Sequence, residues 1–191
     1  MSPTGERPHD TLPPDDKDWT WVLDRVCPEC VADVRTFPIT DVGTMIRDNA
    51  AAWAEVLSGD PEVLRVRTRA DRWSPLEYAC HVRDVYELYD RRLTLMLEED
   101  GPSYPNWDQD ATAVEQDYAA GDPAAVADQL VRNAEALASR FDEVTGDHWA
   151  RTGYRSDGAS FTVETFARYL IHDPIHHLWD VRANGPERRD G

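Results

Sequence analysis

The stretch that most constrains this chain runs from Ser74 to about Glu99. It begins Trp73-Ser74-Pro75-Leu76-Glu77-Tyr78. Ser74 can cap a helix, Pro75 suits the first helical position, and Glu77 completes a capping box. Trp73 and Tyr78 are spaced to form a hydrophobic staple across that start. Beyond it, Leu76, Ala79, Val82, Val85, Leu88, Tyr89, Leu93 and Met96 recur at helical spacing. Their apolar surface is too wide for a single neighbour, so this helix should be covered by two others. Asp100-Gly101-Pro102 stops it.

Three more segments show helical periodicity. The spacing predicts a helix over about 40–57, with Val42, Met45, Ile46, Trp53, Val56 and Leu57 on its apolar stripe and Gly59-Asp60-Pro61 beyond its end. Another spans about 123–144, capped by Asp122, with Val126, Leu130, Leu137 and Phe141 inward. The last spans about 163–182, with Thr162 as cap and Asn184-Gly185-Pro186 as terminator. Between helices 2 and 3 lies SYPNWDQDATAVEQDYAAGD, about twenty residues, with a short helix expected in its second half. GDHWARTGYRSDGAS reads as turns with room for a short extended stretch. With no convincing strand, the fold class is all-α: an antiparallel four-helix bundle with a long connection between helices 2 and 3. The divisions are an irregular lead-in over 1–39, the bundle over 40–182 and a tail over 183–191.

A formal net charge of −17 argues against a nucleic-acid or anionic membrane partner, because both require clustered Lys and Arg. No apolar run approaches the roughly 18 residues that span a bilayer. The first residues hold no apolar signal-peptide region. A cytoplasmic location is therefore expected. Cys27 and Cys30 form a C-x-x-C in CPEC, and Cys80 stands apart. With no second C-x-x-C, a zinc ribbon lacks ligands. Reduced thiols packed near the first helix are the favoured reading, ahead of a redox dithiol or half of an unusual zinc site. Cys80 points about 100° away from His81 and should pack.

Five of the six histidines lie beyond residue 80. His172 and His176 are four apart, which puts both rings on one helical face about 6 Å apart at Cβ. His177 lies about 100° further round and is excluded from that pair on helical geometry. The segment lacks the Glu of a zinc-protease H-E-x-x-H. Its histidines sit among Leu170, Ile171, Ile175, Leu178 and Trp179, where unpartnered imidazoles would be costly to bury. Pro174 removes a helical hydrogen bond and should kink the helix. His81, on a facing helix, is the natural third ligand. The expected metal site is therefore His81, His172 and His176, with an open fourth position.

WSPLEYACHVRDV, HDPIHH and LWDV together make residues 40–182 resemble the DinB-like family of four-helix-bundle metalloproteins, which includes bacillithiol- and mycothiol-dependent S-transferases. The family's metal triad, a His in the second helix and an H-x-x-x-H pair in the fourth, matches His81, His172 and His176 here. The resemblance implies a divalent metal, with zinc first and nickel or iron also accepting three imidazoles. It further implies a metal-dependent transferase that activates a low-molecular-weight thiol for attack on an electrophile. The Arg-, Ala- and Asp-rich composition turns that thiol towards mycothiol. The alternatives are a metal-dependent hydrolase or lyase, or a non-catalytic metal- or small-molecule-binding protein. CPEC and NWDQD are outside the family's general pattern.

Asp84, one turn past His81, is the expected base or the carboxylate that steadies a metal ligand. Asn106, Trp107 and Asp108, with Asp110, are expected at a pocket mouth that receives the thiol cofactor. Arg92 is expected to meet an anionic substrate group, and Tyr169 and Trp179 to be core or pocket wall. The expected partners are a small-molecule thiol and an electrophilic substrate, with a homodimer also entertained.

Overall fold

The structure is a computed structural model and describes residues 18–183. Its long helices are α1 (Val42–Leu57), α3 (Pro75–Glu98), α5 (Pro123–Asp142) and α6 (Val163–Ala183), which form a four-helix bundle. Two short helices, α2 (Pro61–Leu64) and α4 (Gln109–Glu115), lie in the connections. The expected short helix between helices 2 and 3 is α4, which begins nearer the start of the connection than its second half.

α3 starts as its sequence dictates. Ser74 Oγ accepts from the Glu77 amide at 3.3 Å, and the Glu77 carboxylate accepts from the Ser74 amide at 2.8 Å. The Trp73 and Tyr78 rings meet edge-on with centroids 5.6 Å apart. The wide apolar face of α3 is covered chiefly by α5, with α6 and α1 also against it. Tyr86, Leu93 and Met96 are fully enclosed there. Asp122 caps α5 through the Ala124 amide. Thr162 and Thr165 exchange side-chain-to-amide hydrogen bonds at the start of α6.

A small sheet crosses one end of the bundle's connections, where the sequence reading found no convincing strand. β1 (Ser103–Tyr104) pairs in parallel with β2 (Thr152–Arg155), which forms a hairpin with β3 (Ser160–Thr162). Strands of two to four residues show too little alternation to be read from sequence. Gly153 permits the sheet's close approach to α3: a Cβ there would sit 2.8 Å from Met96 Cγ and 2.9 Å from Tyr104 Cε1.

The lead-in is structured from residue 18 onward; residues 1–17 and the tail beyond 183 lie outside the described residues. Thr20–Leu23 makes a 3₁₀ turn against α6, and the chain then turns through CPEC. The Arg168 guanidinium on α6 donates to the carbonyl of Val34 at 2.6 Å and that of Phe37 at 3.3 Å. Residues 18–37 thus form a strap along α6. Among the described residues no helix is long and apolar enough to cross a membrane.

α6 continues through Pro174. Asn49 of α1, itself buried, donates to the Pro174 carbonyl at 3.1 Å and accepts from the Tyr86 hydroxyl of α3 at 2.8 Å. This three-helix junction fixes α6 where its polar side chains cluster.

Candidate metal centre

The HDPIHH segment carries two i, i+4 pairs offset by one residue: His172 with His176, and Asp173 with His177. At about 100° per residue the second pair faces a quarter-turn round from the first. Each pair meets a different part of the fold.

Asp173 and His177 face α3. His81 Nε2 lies 3.3 Å and 3.4 Å from the two Asp173 carboxylate oxygens. His177 Nε2 lies 3.6 Å from Asp173 Oδ2. One ligand atom from each of His81, Asp173 and His177 falls within 4.8 Å of the others. The Trp107 ring stacks on the His81 ring, with centroids 5.3 Å apart and planes 6° from parallel. His81 is wholly buried, and its Nδ1 has no hydrogen-bond partner among the described residues. On its other edge, His177 Nδ1 lies 3.4 Å from Asp180 Oδ2, and Asp180 is ion-paired to Arg72.

His172 and His176 face the strap. Cys27 Sγ lies 3.7 Å from His176 Nδ1, and Cys30 Sγ lies 3.7 Å from His172 Nε2. All four side chains are buried, and their ligand atoms fall within 4.8 Å of one another.

The expected triad of His81, His172 and His176 is not brought together as one group of donors here. His81 groups with Asp173 and His177, the residue that helical geometry had set aside. His177 has its own i, i+4 partner, Asp173, four residues upstream. The signal was present as D-x-x-x-H, interleaved with H-x-x-x-H. The cysteines are buried as expected, yet they face the histidines of α6.

Electrostatics differ between the clusters. Burial pushes the His172 imidazolium down to about 4, and the nearby His176 adds to the shift. His176 is lowered chiefly by burial, with help from His177. Both are therefore neutral, the ligating form, at neutral pH. Burial also lowers His177, but Asp173 and Asp180 outweigh it and raise the group to about 9. Burial raises Asp173, yet the His81 and His177 rings outweigh that and hold its carboxyl well below the usual range. The donors of this cluster suit a divalent ion: two imidazoles and an ionised carboxylate, with a second carboxylate orienting one ring from behind.

A cavity of about 1020 Å³ is lined by His81, Asp173 and His177, and by His172 and His176. Arg92, Asn106, Trp107, Asp108 and Tyr169 also line it. Their local roles are more specific than the prediction. Arg92 donates to the Pro105 carbonyl at 2.7 Å and lies over the Tyr104 ring, which pins the start of the long connection. Asp108 caps α4 through the Ala111 amide at 2.9 Å. The Trp107 indole N–H donates to Thr112 Oγ1 at 2.8 Å. Arg155 and Asp157, not anticipated from sequence, complete a charged stretch of wall. Asp84 does not occupy its expected place beside a ligand. It pairs with Arg83 and accepts from the Tyr118 hydroxyl, because its position on α3 turns it towards the long connection. Asp180 is the carboxylate that lies beside His177 Nδ1.

A model of the DinB superfamily matches residues 44–181. The solved structure of YfiT from Bacillus subtilis, described as a probable metal-dependent hydrolase with an unusual four-helix bundle topology, is similar to this chain. The two share 18% identity with a TM-score of 0.69, and the match covers 79% of this chain and 91% of YfiT. The comparison with curated proteins gives no match.

Proposed function

The chain belongs to the DinB superfamily, and from that membership and the cavity we propose a metal-dependent enzyme centred on His81, Asp173 and His177. The carrying observation is that these three donors converge on the wall of a cavity of about 1020 Å³. Three protein ligands leave a coordination position open to that space. A divalent ion held there supplies Lewis acidity and lowers the pKa of a thiol or water that joins it.

The chain's own groups prepare the site for that chemistry. Asp180 accepts from His177 Nδ1, which leaves Nε2 facing Asp173 and His81, where a bound ion would replace the Nε2 proton. Trp107 covers one face of His81 and shields it from water. Arg92 places positive charge on the wall, suited to an anionic group on a substrate or cofactor, whereas Arg155 there is already ion-paired with Asp157. Asn106 and Asp108 add polar surface. A polar cavity of this size fits a sugar-linked thiol of the mycothiol type together with an electrophile, and supports thiol transfer. YfiT's description favours a second reading, hydrolysis by the same centre.

Metal-loaded protein incubated with a panel of thiols and reactive electrophiles separates these readings. Thiol transfer predicts a metal-dependent rate that rises with thiol concentration and is lost in His177→Ala. A metal-dependent rate on ester or amide substrates, indifferent to thiol, would favour hydrolysis. No metal-dependent turnover in either panel would overturn both.

A further inference from the structure

The geometry points to a second metal site, closed and structural, formed by Cys27, Cys30, His172 and His176 and taking a thiophilic divalent ion such as zinc. In tetrahedral zinc sites, Zn–S bonds of about 2.3 Å and Zn–N bonds of about 2.0 Å put neighbouring sulfur and nitrogen ligands about 3.6 Å apart. Two of the four sulfur–nitrogen separations here, Cys27 to His176 and Cys30 to His172, are 3.7 Å, and all four donor atoms lie within 4.8 Å of one another. The two cysteines and two histidines come from opposite ends of the chain and bring four donor atoms together. With four protein ligands, no position remains for substrate.

Two independent features of the surroundings agree. A histidine that ligates through one nitrogen commonly presents the other to a carboxylate. His176 faces Cys27 with Nδ1, while its Nε2 lies 3.7 Å from Asp180 and 3.9 Å from Glu29. The C-x-x-C turn is also held in a strained form. Val31, directly after Cys30, has φ of 55°, a region that β-branched residues avoid. The turn is closed by hydrogen bonds from the Val31 amide to the Cys27 carbonyl and from the Cys27 amide to the Ala32 carbonyl, both at 3.0 Å. Such strain persists where surrounding interactions over-determine the backbone. A dithiol with no further duty would require neither this turn nor the two histidines opposite.

The site fastens the strap to α6. Trp19 packs against the His172 and His176 rings, with centroids 5.8 Å and 5.3 Å away, and Asp18, Trp19, Thr20 and Leu23 line the cavity. The second ion therefore holds one wall of the cavity that the first ion serves. The cavity wall includes both histidines and neither cysteine.

The test is cobalt titration of the full-length metal-free protein, followed by the thiolate-to-cobalt charge-transfer band. Two equivalents should bind, and the band should saturate with one of them. Cys27→Ser with Cys30→Ser should remove the band and one equivalent; His81→Ala should remove the other equivalent and keep the band. X-ray absorption of the zinc-loaded wild type needs no variant, and should show an average of one sulfur per zinc when two ions are bound. Metal removal should also speed proteolysis within residues 18–34. No charge-transfer band and no sulfur around zinc in the wild type would overturn the proposal, as would a band that survives loss of both cysteines. These readouts involve no turnover, so they stand or fall separately from the proposed reaction.

Discussion

At the scale of single residues, Val31 and Asp180 make the account testable. Val31 is 75% exposed and makes its left-handed turn without a glycine. Val31→Gly removes little packing and relieves the backbone, and should stabilise the metal-loaded protein by about 1 kcal/mol, after allowing for glycine's greater freedom when unfolded. Thermal unfolding checks this; a fall in Tm would show that the turn is not strained. Asp180 Oδ2 lies near nitrogens of both His177 and His176, so a single carboxylate steadies one ligand of each cluster. Asp180→Asn should weaken metal binding roughly 10- to 100-fold, read by competition with a chelator. Unchanged affinity would remove Asp180 from the site.

At the scale of elements, the helix ends and the junction between helices carry the stability. Asn49 joins α1 to Pro174 of α6 and to Tyr86 of α3. Asn49→Ala leaves buried polar groups unpaired and should cost about 2–4 kcal/mol by denaturant unfolding. At the start of α3, burial raises the Glu77 carboxyl, but hydrogen bonds from Arg67 and Ser74 outweigh it and the net shift is downward. A carboxyl lowered in the folded state stabilises the fold above its unfolded pKa, and that stability is lost as pH falls through the folded value. Glu77→Gln should therefore be less stable than wild type at pH 7 by about 2 kcal/mol, with the gap closing as the solution is acidified below about pH 4. A gap independent of pH would assign the loss to packing instead.

These elements also show what a sequence discloses. The start of α3 is legible because its cap, proline, glutamate and staple lie within six consecutive residues. The small sheet is not, because β1 and β2 are short and nearly fifty residues apart, joined in register Ser103 to Tyr154. The candidate metal centre lies between these cases. His81 and the reactive face of α6 can be found from spacing. Which α6 pair His81 meets depends on how α3 and α6 are rotated against each other, and no local pattern encodes that. CPEC looks like half of a site because its other half lies 142 and 149 residues away.

At the scale of the whole molecule, α6 organises the protein. One face meets α3 across His81, Asp173 and His177; the adjacent face meets the strap across His172, His176 and the two cysteines. The cavity lies where these faces adjoin, with the long connection supplying Trp107 over His81 and the strap supplying Trp19. This division of labour, an open ion facing the cavity and a closed ion holding its wall, is the central claim. Anomalous diffraction at the zinc absorption edge, on crystals of the metal-loaded full-length protein, tests it most directly. Two peaks per chain are expected: one among His81, Asp173 and His177 with a non-protein ligand completing its coordination, and one among Cys27, Cys30, His172 and His176 with none. A single peak shared by His81, His172 and His176, or no peak beside Asp173, would contradict it.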